Sequence, residues 1–364
     1  MEYTLRSLGS FSEMKYGKMP NKKMSSDKGK YPIFSGYRVV GYCDECNIGE
    51  QQLVVIARGV GGTGDVKLSP GACFLTNLSI AVLVDESVAL KKYLYYYFLK
   101  NNLRYLDSGS AQSQITIGDL KNVEVPLPSI ETQKKVVSIL GVIDEKINNN
   151  VAINDNLADL LQTIYQERFD NDILAVNQGV LSDICSYSKD KVAVSELNVS
   201  TYFSTENMLS GKAGSSEATS LPITSHTTAC HKGDTLISNI RPYFKKIVYC
   251  EGNCGCSTDV LCFTPSHPRY SAYLFSTLYA DKFFAFMVAG SKGTKMPRGD
   301  KQQIMTYPVV LPSEEELAGF NTIASPLLEQ IYSNRAENKR LSILRDTLLP
   351  KLMSGEINVS AIQL

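Results

Sequence analysis

The sequence GSAQSQITIGD at residues 109–119 returns as GSKGTKMPRGD at residues 290–300, an offset of 181 in a chain of 364 residues. Each copy leads through a Leu-Pro-Ser segment, at 127–129 and 311–313, into a long helical pattern. Because three extra residues separate the copies, the offset along the helical patterns becomes 184. A repeat unit of about half the chain indicates duplicated domains rather than a solenoid. We therefore predict two equivalent sites.

The composition is that of a globular protein. With 43% hydrophobic residues, the chain is long enough to bury two cores of ordinary domain size. No stretch reaches the roughly 18 apolar residues of a membrane span, and the first residues contain no apolar signal segment. Nine cysteines, an odd number, fit reduced thiols. We therefore expect a cytoplasmic protein.

Two cysteine groups are candidate metal ligands. They are Cys43-x-x-Cys46 and Cys250-x3-Cys254-x-Cys256, and both lack paired histidines nearby. They also occupy non-equivalent places in the two repeats, whereas a structural zinc site needs four well-spaced ligands. The sequence therefore favours ordinary thiols, and we predict no metal site.

Lysines and arginines equal aspartates and glutamates at 37 each, so no global field indicates a nucleic-acid partner. Locally the charges separate. Residues 15–30 contain six lysines against one aspartate, whereas residues 130–172 contain eight acidic and four basic residues. Further basic patches lie at 232–246 and 289–301. A solvated surface explains any single patch, but patches beside repeated motifs favour contact with phosphates.

Each repeat begins with a β-rich part and ends with a long helix. Apolar runs between Gly, Pro and Asn turns predict strands at 53–57, 80–84, 123–127, 234–238 and 259–263. Shorter helices are predicted at 90–101 and 270–288, with their aromatic residues in the core. Ser313 and Glu316 form a capping-box signal for the second long helix.

The long helical patterns carry a heptad seam interrupted by asparagines. The first seam is Leu140, Ile143, Ile147, Asn150, Asn154, Leu157, Leu161 and Ile164; the second is Ala324, Leu327, Ile331, Asn334, Asn338 and Leu341, after which Arg345 interrupts it and Leu344 and Leu348 continue it. We expect the seams to pair and the asparagines Asn150, Asn154, Asn334 and Asn338 to fix the helix register. The alternative places the asparagines toward solvent. A helix of about 40 residues is on the order of 60 Å long, which suits a spacer.

Motifs for enzymatic chemistry are weak. Gly59-Val-Gly-Gly-Thr-Gly64 fits a dinucleotide-binding pattern, but Asp65 to Gly71 contains turn or strand residues where that loop would open a helix. Asn239-Ile-Arg-Pro-Tyr243 is similar to an amino-methyltransferase motif, but it has an extra residue and no cofactor loop upstream. The three histidines lie in the second repeat alone. The sequence therefore supports no active site.

Taken together, the motifs closely resemble the specificity subunits of type I restriction-modification systems over nearly the whole chain. The most specific segments are 233–242, Cys256-Ser-Thr-Asp259, 112–119 and the terminal 345–357. The resemblance implies an α+β fold in which two tandem globular α/β target-recognition domains are joined by two long antiparallel coiled-coil helices, with a pseudo-two-fold internal repeat. It divides the chain into target-recognition domain 1 (1–128), helical spacer 1 (129–172), target-recognition domain 2 (173–312) and helical spacer 2 (313–364).

The resemblance also implies function and partners. The chain would be a non-catalytic subunit that recognises a bipartite site in double-stranded DNA and docks two methylation subunits and motor-nuclease subunits. It would bind no cofactor itself, since S-adenosylmethionine, ATP and magnesium belong to those partners. A stand-alone or type II-associated DNA-recognition module is the alternative, and a coiled-coil structural adaptor is a further one.

Arg and Gln suit bidentate contacts to guanine and adenine, and Lys suits phosphates. On that basis we predict two DNA-facing sets. They are Arg58, Lys67, Gln112, Ser113 and Gln114 in the first repeat, and Arg241, Tyr243, Lys245, Lys246, Lys292, Thr294, Lys295 and Arg298 in the second. For Arg58, Arg241 and Gln112 the alternative is a structural hydrogen bond that holds a repeated turn. Differences between the repeats predict two unlike half-sites.

Overall fold

The computed structural model describes residues 2–21, 29–59, 62–107, 113–170 and 177–359. The chain forms two compact units. Unit 1 comprises Met1–Asn148 and Asn338–Leu364, and unit 2 comprises Asn149–Glu337. Both boundaries lie inside long helices, so each unit combines a globular part with portions of two helices. The boundaries at 128, 172 and 312 stay predictions.

Among the described residues, unit 1 contains short strands in three small sheets, two short α-helices and parts of the two long helices. The strands are β1 (Thr4–Ser7), β2 (Ser12–Tyr16), β3 (Tyr31–Phe34), β4 (Val39–Cys43), β5 (Leu53–Ile56), β6 (Val66–Leu68), β7 (Phe74–Leu75), β8 (Ser79–Val84) and β9 (Glu124–Leu127). The helices are α1 (Lys91–Lys100), α2 (Ile117–Lys121), the start of α3 (Ile130–Tyr165) and the end of α8 (Glu314–Ser354). The sheet orders are β1-β9, β2-β8-β5-β6 and β4-β3-β7.

The core of unit 1 forms around β5, which is buried along its whole length as its continuous apolar sequence predicts. Tyr93 and Phe98 of α1 are buried against it, which confirms their predicted core position. Leu140 of α3 and Leu352 near the C terminus complete the same core. The C-terminal segment is therefore part of the fold of unit 1.

Unit 2 repeats this organisation. Its strands are β10 (Gln178–Val180), β11 (Cys185–Tyr187), β12 (Lys191–Ala193), β13 (Tyr202–Phe203), β14 (His226–Cys230), β15 (Thr235–Ser238), β16 (Ile247–Tyr249), β17 (Cys254–Cys256), β18 (Val260–Pro265) and β19 (Pro308–Val310). Its helices are α4 (Leu181–Ile184), α5 (Ser271–Tyr279), α6 (Asp281–Ala289), α7 (Lys301–Met305) and part of α8 (Glu314–Ser354). The sheet orders are β10-β19, β11-β18-β15-β16 and β12-β14-β17-β13.

The central sheets of the two units have the same topology and register. In unit 1, β5 pairs antiparallel with β8 and β6, and in unit 2, β15 pairs antiparallel with β18 and β16. Thr235 opposite Phe263 corresponds to Leu53 opposite Val82. The duplication predicted from the sequence is therefore visible strand by strand.

The structure corrects the register of the repeated motif. The small helices begin after Thr116 and Asp300, whose side chains cap α2 and α7. The buried Leu120 and Ile304 then coincide, at an offset of 184. The Gly-Asp pairs at 118–119 and 299–300 match as letters, but they do not occupy the same position. The capping side chain, rather than the sequence identity, determines where each helix starts.

A second correction concerns β3. By sequence, Tyr31-Pro-Ile-Phe-Ser-Gly36 corresponds to Leu221-Pro-Ile-Thr-Ser225 of the second repeat, but the strand pairing gives a different counterpart. β3 pairs parallel with β7, and in unit 2 the strand that pairs parallel with β17 is β13. Thr76 donates its N–H to Phe34 O at 3.0 Å, and Ser257 donates to Phe203 O at 2.8 Å. β13 is therefore the counterpart of β3.

A third correction concerns the predicted helix at 270–288, which is two helices. Ala280 is extended between α5 and α6, with ψ 141°. Asp281 begins α6 and accepts from Lys212 at 2.7 Å. The apolar pattern continues across this break, so periodicity alone did not reveal it.

The two long helices run antiparallel within each unit. In unit 2, Asn334 Nδ2 donates to Asn154 Oδ1 at 2.8 Å and Asn150 Nδ2 donates to Glu337 Oε2 at 2.7 Å. In unit 1, Asn338 Nδ2 donates to Ile147 O at 3.2 Å. The solvent-facing alternative for these asparagines is therefore wrong, while their effect on register stays a prediction.

Arg345 and Leu344 both depart from the apolar seam of α8. Arg345 interrupts it because its guanidinium pairs with Asp144 at 3.1 Å, and Asp144 also accepts from the Tyr96 hydroxyl at 2.6 Å. Leu344, predicted in the seam, is 47% exposed. The Ser313 capping box is confirmed by its two hydrogen bonds with Glu316, at 2.8 and 3.2 Å.

Candidate nucleic-acid interface

A strained turn at residues 241–245 lies directly after the central strand β15 of unit 2. Arg241 and Lys245 both have left-handed backbones, with φ 51° and 50°, and they flank a 3₁₀ turn. This conformation is costly for residues other than glycine and often marks functional positions. It leaves Tyr243 50% exposed, with its ring 4.8 Å from that of Phe244.

A narrow hairpin, residues 292–298, lies beside this turn. Lys292 and Arg298 exchange two backbone hydrogen bonds of 2.9 Å, and Gly293 has φ 101° at the tip. Arg241 donates its N–H to Pro297 O at 2.8 Å. The structure thus brings together the predicted residues of 241–245 and 292–298, which lie some 50 residues apart in the chain.

Carboxylates hold three of the predicted cations. Lys245 Nζ lies 3.0 Å from Asp281, Lys292 Nζ 2.6 Å from Asp300, and Arg298 Nη2 2.9 Å from Asp259. The hydrogen bonds from Lys212 and Lys245 lower the pKa of Asp281, and the one from Lys292 lowers that of Asp300. The cationic side chains are therefore positioned before any ligand arrives.

The other predicted residues of unit 2 differ in surroundings. Thr294 and Lys295 are exposed at the hairpin tip, without a side-chain partner among the described residues. Lys246 is half-buried and donates to Thr205 O at 2.5 Å, and burial lowers its pKa. Its position suits an anchor for the turn better than a free phosphate contact. Arg241 Nε is buried and has no hydrogen-bond partner in the described part of the chain.

In unit 1, the corresponding surface joins three predicted residues. Exposed Arg58 forms an antiparallel bridge with Gln114. The Ser113 hydroxyl donates to Asp107, whose other carboxylate oxygen accepts from Gln114 N at 2.9 Å. Lys67 is exposed on the edge strand β6. Gln112 lies outside the described residues.

Sequence reasoning missed two residues of this surface, Arg104 and Tyr37. Arg104 forms a bidentate ion pair with Asp65, at 2.9 and 3.2 Å. Tyr37 covers the glycine turn so closely that a Cβ on Gly59 would lie 2.7 Å from its hydroxyl. Gly59 also has φ 134°, which explains the glycine there. The glycines were the available signal, whereas nothing local indicated Arg104 or Tyr37.

The glycine turn and the cysteines are the other candidates for chemistry in the sequence. β6, not a helix, follows the glycine turn, in agreement with the rejection of a dinucleotide loop. Five thiols of unit 2 are buried together, with Cys250 and Cys254 Sγ atoms 3.5 Å apart. Within the described ranges, no group of three or more His, Cys, Asp or Glu could hold a metal ion. No helix of the same residues is long and apolar enough to cross a membrane.

Known proteins that are similar to this chain belong to the group that the sequence motifs indicate. Residues 1–158 match the family model of the type I restriction modification DNA specificity domain. The specificity subunit of the type I restriction enzyme MjaIX from Methanocaldococcus jannaschii is 23% identical, over 78% of this chain and 73% of that protein. A putative type I specificity subunit from Mycoplasma pneumoniae is 30% identical, over 43% of this chain and 44% of that protein.

A solved structure shares the fold. The crystal structure of the S subunit of a type I restriction-modification system from M. genitalium has a TM-score of 0.64 and 21% sequence identity, and the alignment covers 97% of this chain and 96% of that one. The predicted α+β class with duplicated globular parts and long helices is therefore confirmed. The specificity-domain match and the curated relatives show that the chain is similar in sequence to type I restriction-modification specificity subunits, and the solved structure shows that it is similar in fold.

Proposed function

We propose that this chain is the DNA sequence-specificity subunit of a type I restriction-modification complex, that it recognises a bipartite site, and that it directs methylation and restriction by partner subunits. The observation that carries this proposal is the duplication of one topology with different side chains at the same surface. Each unit presents a turn after its central strand, bridged to the segment before its small helix. Two such surfaces suit two half-sites.

The half-sites differ because the equivalent positions differ. Gln114 of unit 1 corresponds to Arg298 of unit 2, and Arg58 corresponds to Ile240. Hydrogen bonds to base edges depend on such side chains, whereas phosphate contacts position the protein without selecting sequence. The site is therefore asymmetric, in spite of the internal symmetry of the chain.

The long helices offer a surface for the partner subunits. On α3, Ile153 and Leu160 are 44% and 47% exposed. They lie seven residues apart and hence on one side of the helix, where exposed apolar side chains suit contact with another protein. Val142 is similarly exposed on the part of α3 in unit 1. We propose that these faces dock two methylation subunits, and that motor-nuclease subunits join them.

The chain itself is proposed to be non-catalytic. S-adenosylmethionine, ATP and magnesium would be bound by the partner subunits. Because this chain has no net charge, the partners would also supply much of the electrostatic attraction to DNA phosphates. The predicted cytoplasmic location would follow if the complex acts on chromosomal DNA.

Selection from a randomised DNA library tests this function. The chain is co-expressed with the methylation subunit of the same system, and the purified complex is used to enrich duplexes. We expect two short blocks of fixed sequence separated by a gap of fixed length. Enrichment of one continuous block would favour a stand-alone recognition module. No enrichment by a stable complex would favour the structural adaptor and contradict the proposal.

A further inference from the structure

In unit 1, one polar side chain is fixed at the junction between the central strand and its turn. Gln114 bridges Arg58, and the next residue, Ile115, donates its N–H to Ala57 O at 3.0 Å. The backbone N–H of Gln114 is held by Asp107 at 2.9 Å. The amide side chain has no side-chain partner among the described residues, although its backbone is fixed on both sides.

In unit 2, Arg298 occupies the same position. It bridges Ile240, and the next residue, Gly299, donates its N–H to Asn239 O at 3.3 Å. Both Gln114 and Arg298 precede the capping residue of the following small helix by two positions. Because directly opposed residues of an antiparallel pair point to one face, each side chain projects beside the turn of its unit.

We propose that Gln114 recognises an adenine in one half-site, that Arg298 recognises a guanine in the other, and that Asp259 is the positioning residue for Arg298. This inference rests on the proposed function and deepens it. A Gln amide pairs with N6 and N7 of adenine, and an Arg guanidinium with O6 and N7 of guanine. The two half-sites then differ at one structurally equivalent position.

The ion pair with Asp259 supports this assignment for Arg298. The 2.9 Å contact engages one Nη, while the planar guanidinium carries further N–H donors for a base edge. Asp259 is itself fixed, since its carbonyl accepts the Asn239 N–H at 2.8 Å. The neighbouring lysines present point charges, which suit phosphates, and therefore do not compete for this role.

Unit 1 lacks this support because Leu78 stands where Asp259 stands in unit 2. Leu78 O accepts the Ala57 N–H at 2.9 Å, as Asp259 O accepts the Asn239 N–H. An arginine at position 114 would thus have no carboxylate at the place of Asp259, and the Asp107 carboxylate is already engaged by the Ser113 hydroxyl and the Gln114 N–H. A full exchange of specificity therefore needs two substitutions, Gln114→Arg and Leu78→Asp.

Library selection with the complex of chain and methylation subunit tests the inference. Arg298→Gln should change one guanine of one half-site to adenine, with a preference shift of roughly 5- to 150-fold at that position. Gln114→Arg with Leu78→Asp should change one adenine of the other half-site to guanine. Asp259→Asn should weaken discrimination at the Arg298 position alone. Lys295→Gln is the matched control and should lower affinity without changing the sequence.

The outcomes separate the inference from the proposed function. If the wild-type complex selects a bipartite site but Arg298→Gln keeps the same guanine, the inference is wrong and the function stands. If the wild-type complex selects no site, the function fails. Should Arg298→Gln not fold, wild-type complex is titrated with duplexes carrying 7-deazaguanine at one guanine at a time. We expect about tenfold weaker binding when 7-deazaguanine replaces one particular guanine of one half-site. Unchanged binding for the replacement of every guanine would overturn the assignment.

Discussion

Thr116 shows how a single side chain fixes an element of the interface. Its hydroxyl accepts the Asp119 N–H at 3.2 Å, and the Asp119 carboxylate accepts the Thr116 N–H at 2.9 Å. Thr116→Ala should lower the free energy of unfolding by about 0.5–2 kcal/mol, because a helix N–H loses its acceptor. Urea denaturation measures this, with Thr116→Ser as the control. Equal stability of the Ala and Ser variants would show that the cap contributes nothing.

The same cap predicts a dependence on pH. Hydrogen bonds from Thr116 lower the pKa of Asp119. The resulting stabilisation is complete above the unfolded carboxyl pKa of about 3.9 and is lost as pH falls through the lower folded value. The stability difference between wild type and Thr116→Ala should therefore be smaller at acid pH than at pH 7. A difference that stays constant across this range would contradict the argument.

Lys295 tests the phosphate contacts. Its side chain is exposed at the hairpin tip, so Lys295→Ala should weaken DNA binding similarly for all sequences. The slope of log affinity against log salt should decrease by about 1, since one counterion fewer is released. Titrations of the complex at several salt concentrations measure both quantities. Lys351→Ala on α8 is the control, and equal slopes for the two variants would remove Lys295 from the interface.

The paired asparagines of the long helices allow a double-mutant cycle. Asn334 donates to Asn154 and accepts from Gln330 at 2.7 Å. Asn334→Leu should cost about 1–3 kcal/mol because it leaves the Asn154 oxygen buried without its donor. The double variant with Asn154→Leu should regain most of that stability, since both polar groups are then absent. Additive losses in thermal or urea unfolding would show that the two amides do not depend on each other.

The exposed apolar face of α3 predicts a defect in assembly. Ile153→Ser with Leu160→Ser should leave the unfolding of the chain nearly unchanged, because both side chains are already half exposed. Recovery of the methylation subunit with the tagged chain should fall strongly. Thr163→Ala, another exposed α3 position, serves as the control. Undiminished recovery with the double serine variant would move the docking surface elsewhere.

Hydrophobic periodicity predicted the long helices well, because buried positions repeat regularly along them. It failed where ion pairs determine which residues are buried. Leu344 fits the heptad and is nevertheless exposed, since Arg345 and Asp144 occupy the neighbouring contact. The break at Ala280 directly precedes Asp281, whose carboxylate binds two lysines distant in sequence. Such contacts leave no local pattern.

The sequence was sufficient to predict the duplication of the chain, but it predicted the residues of the candidate interface only in part. The hairpin of 292–298 beside the turn of 241–245 was foreseen as two basic patches, and the structure joins them. Tyr37, Arg104 and Asp259 were not foreseen, because their roles depend on neighbours that only the folded chain supplies. The equivalence of Gln114 and Arg298 likewise needed the corrected register.

The central claim is that this chain directs methylation to a split DNA site through two unlike surfaces. Its most direct test is co-expression with the methylation subunit in a host without adenine methylation, followed by modification-sensitive sequencing of the genome. We predict methylated adenines in a motif of two unlike halves with a fixed gap, absent when this chain is omitted. Methylation that is unchanged without the chain, or no methylation from a stable complex, would contradict the account.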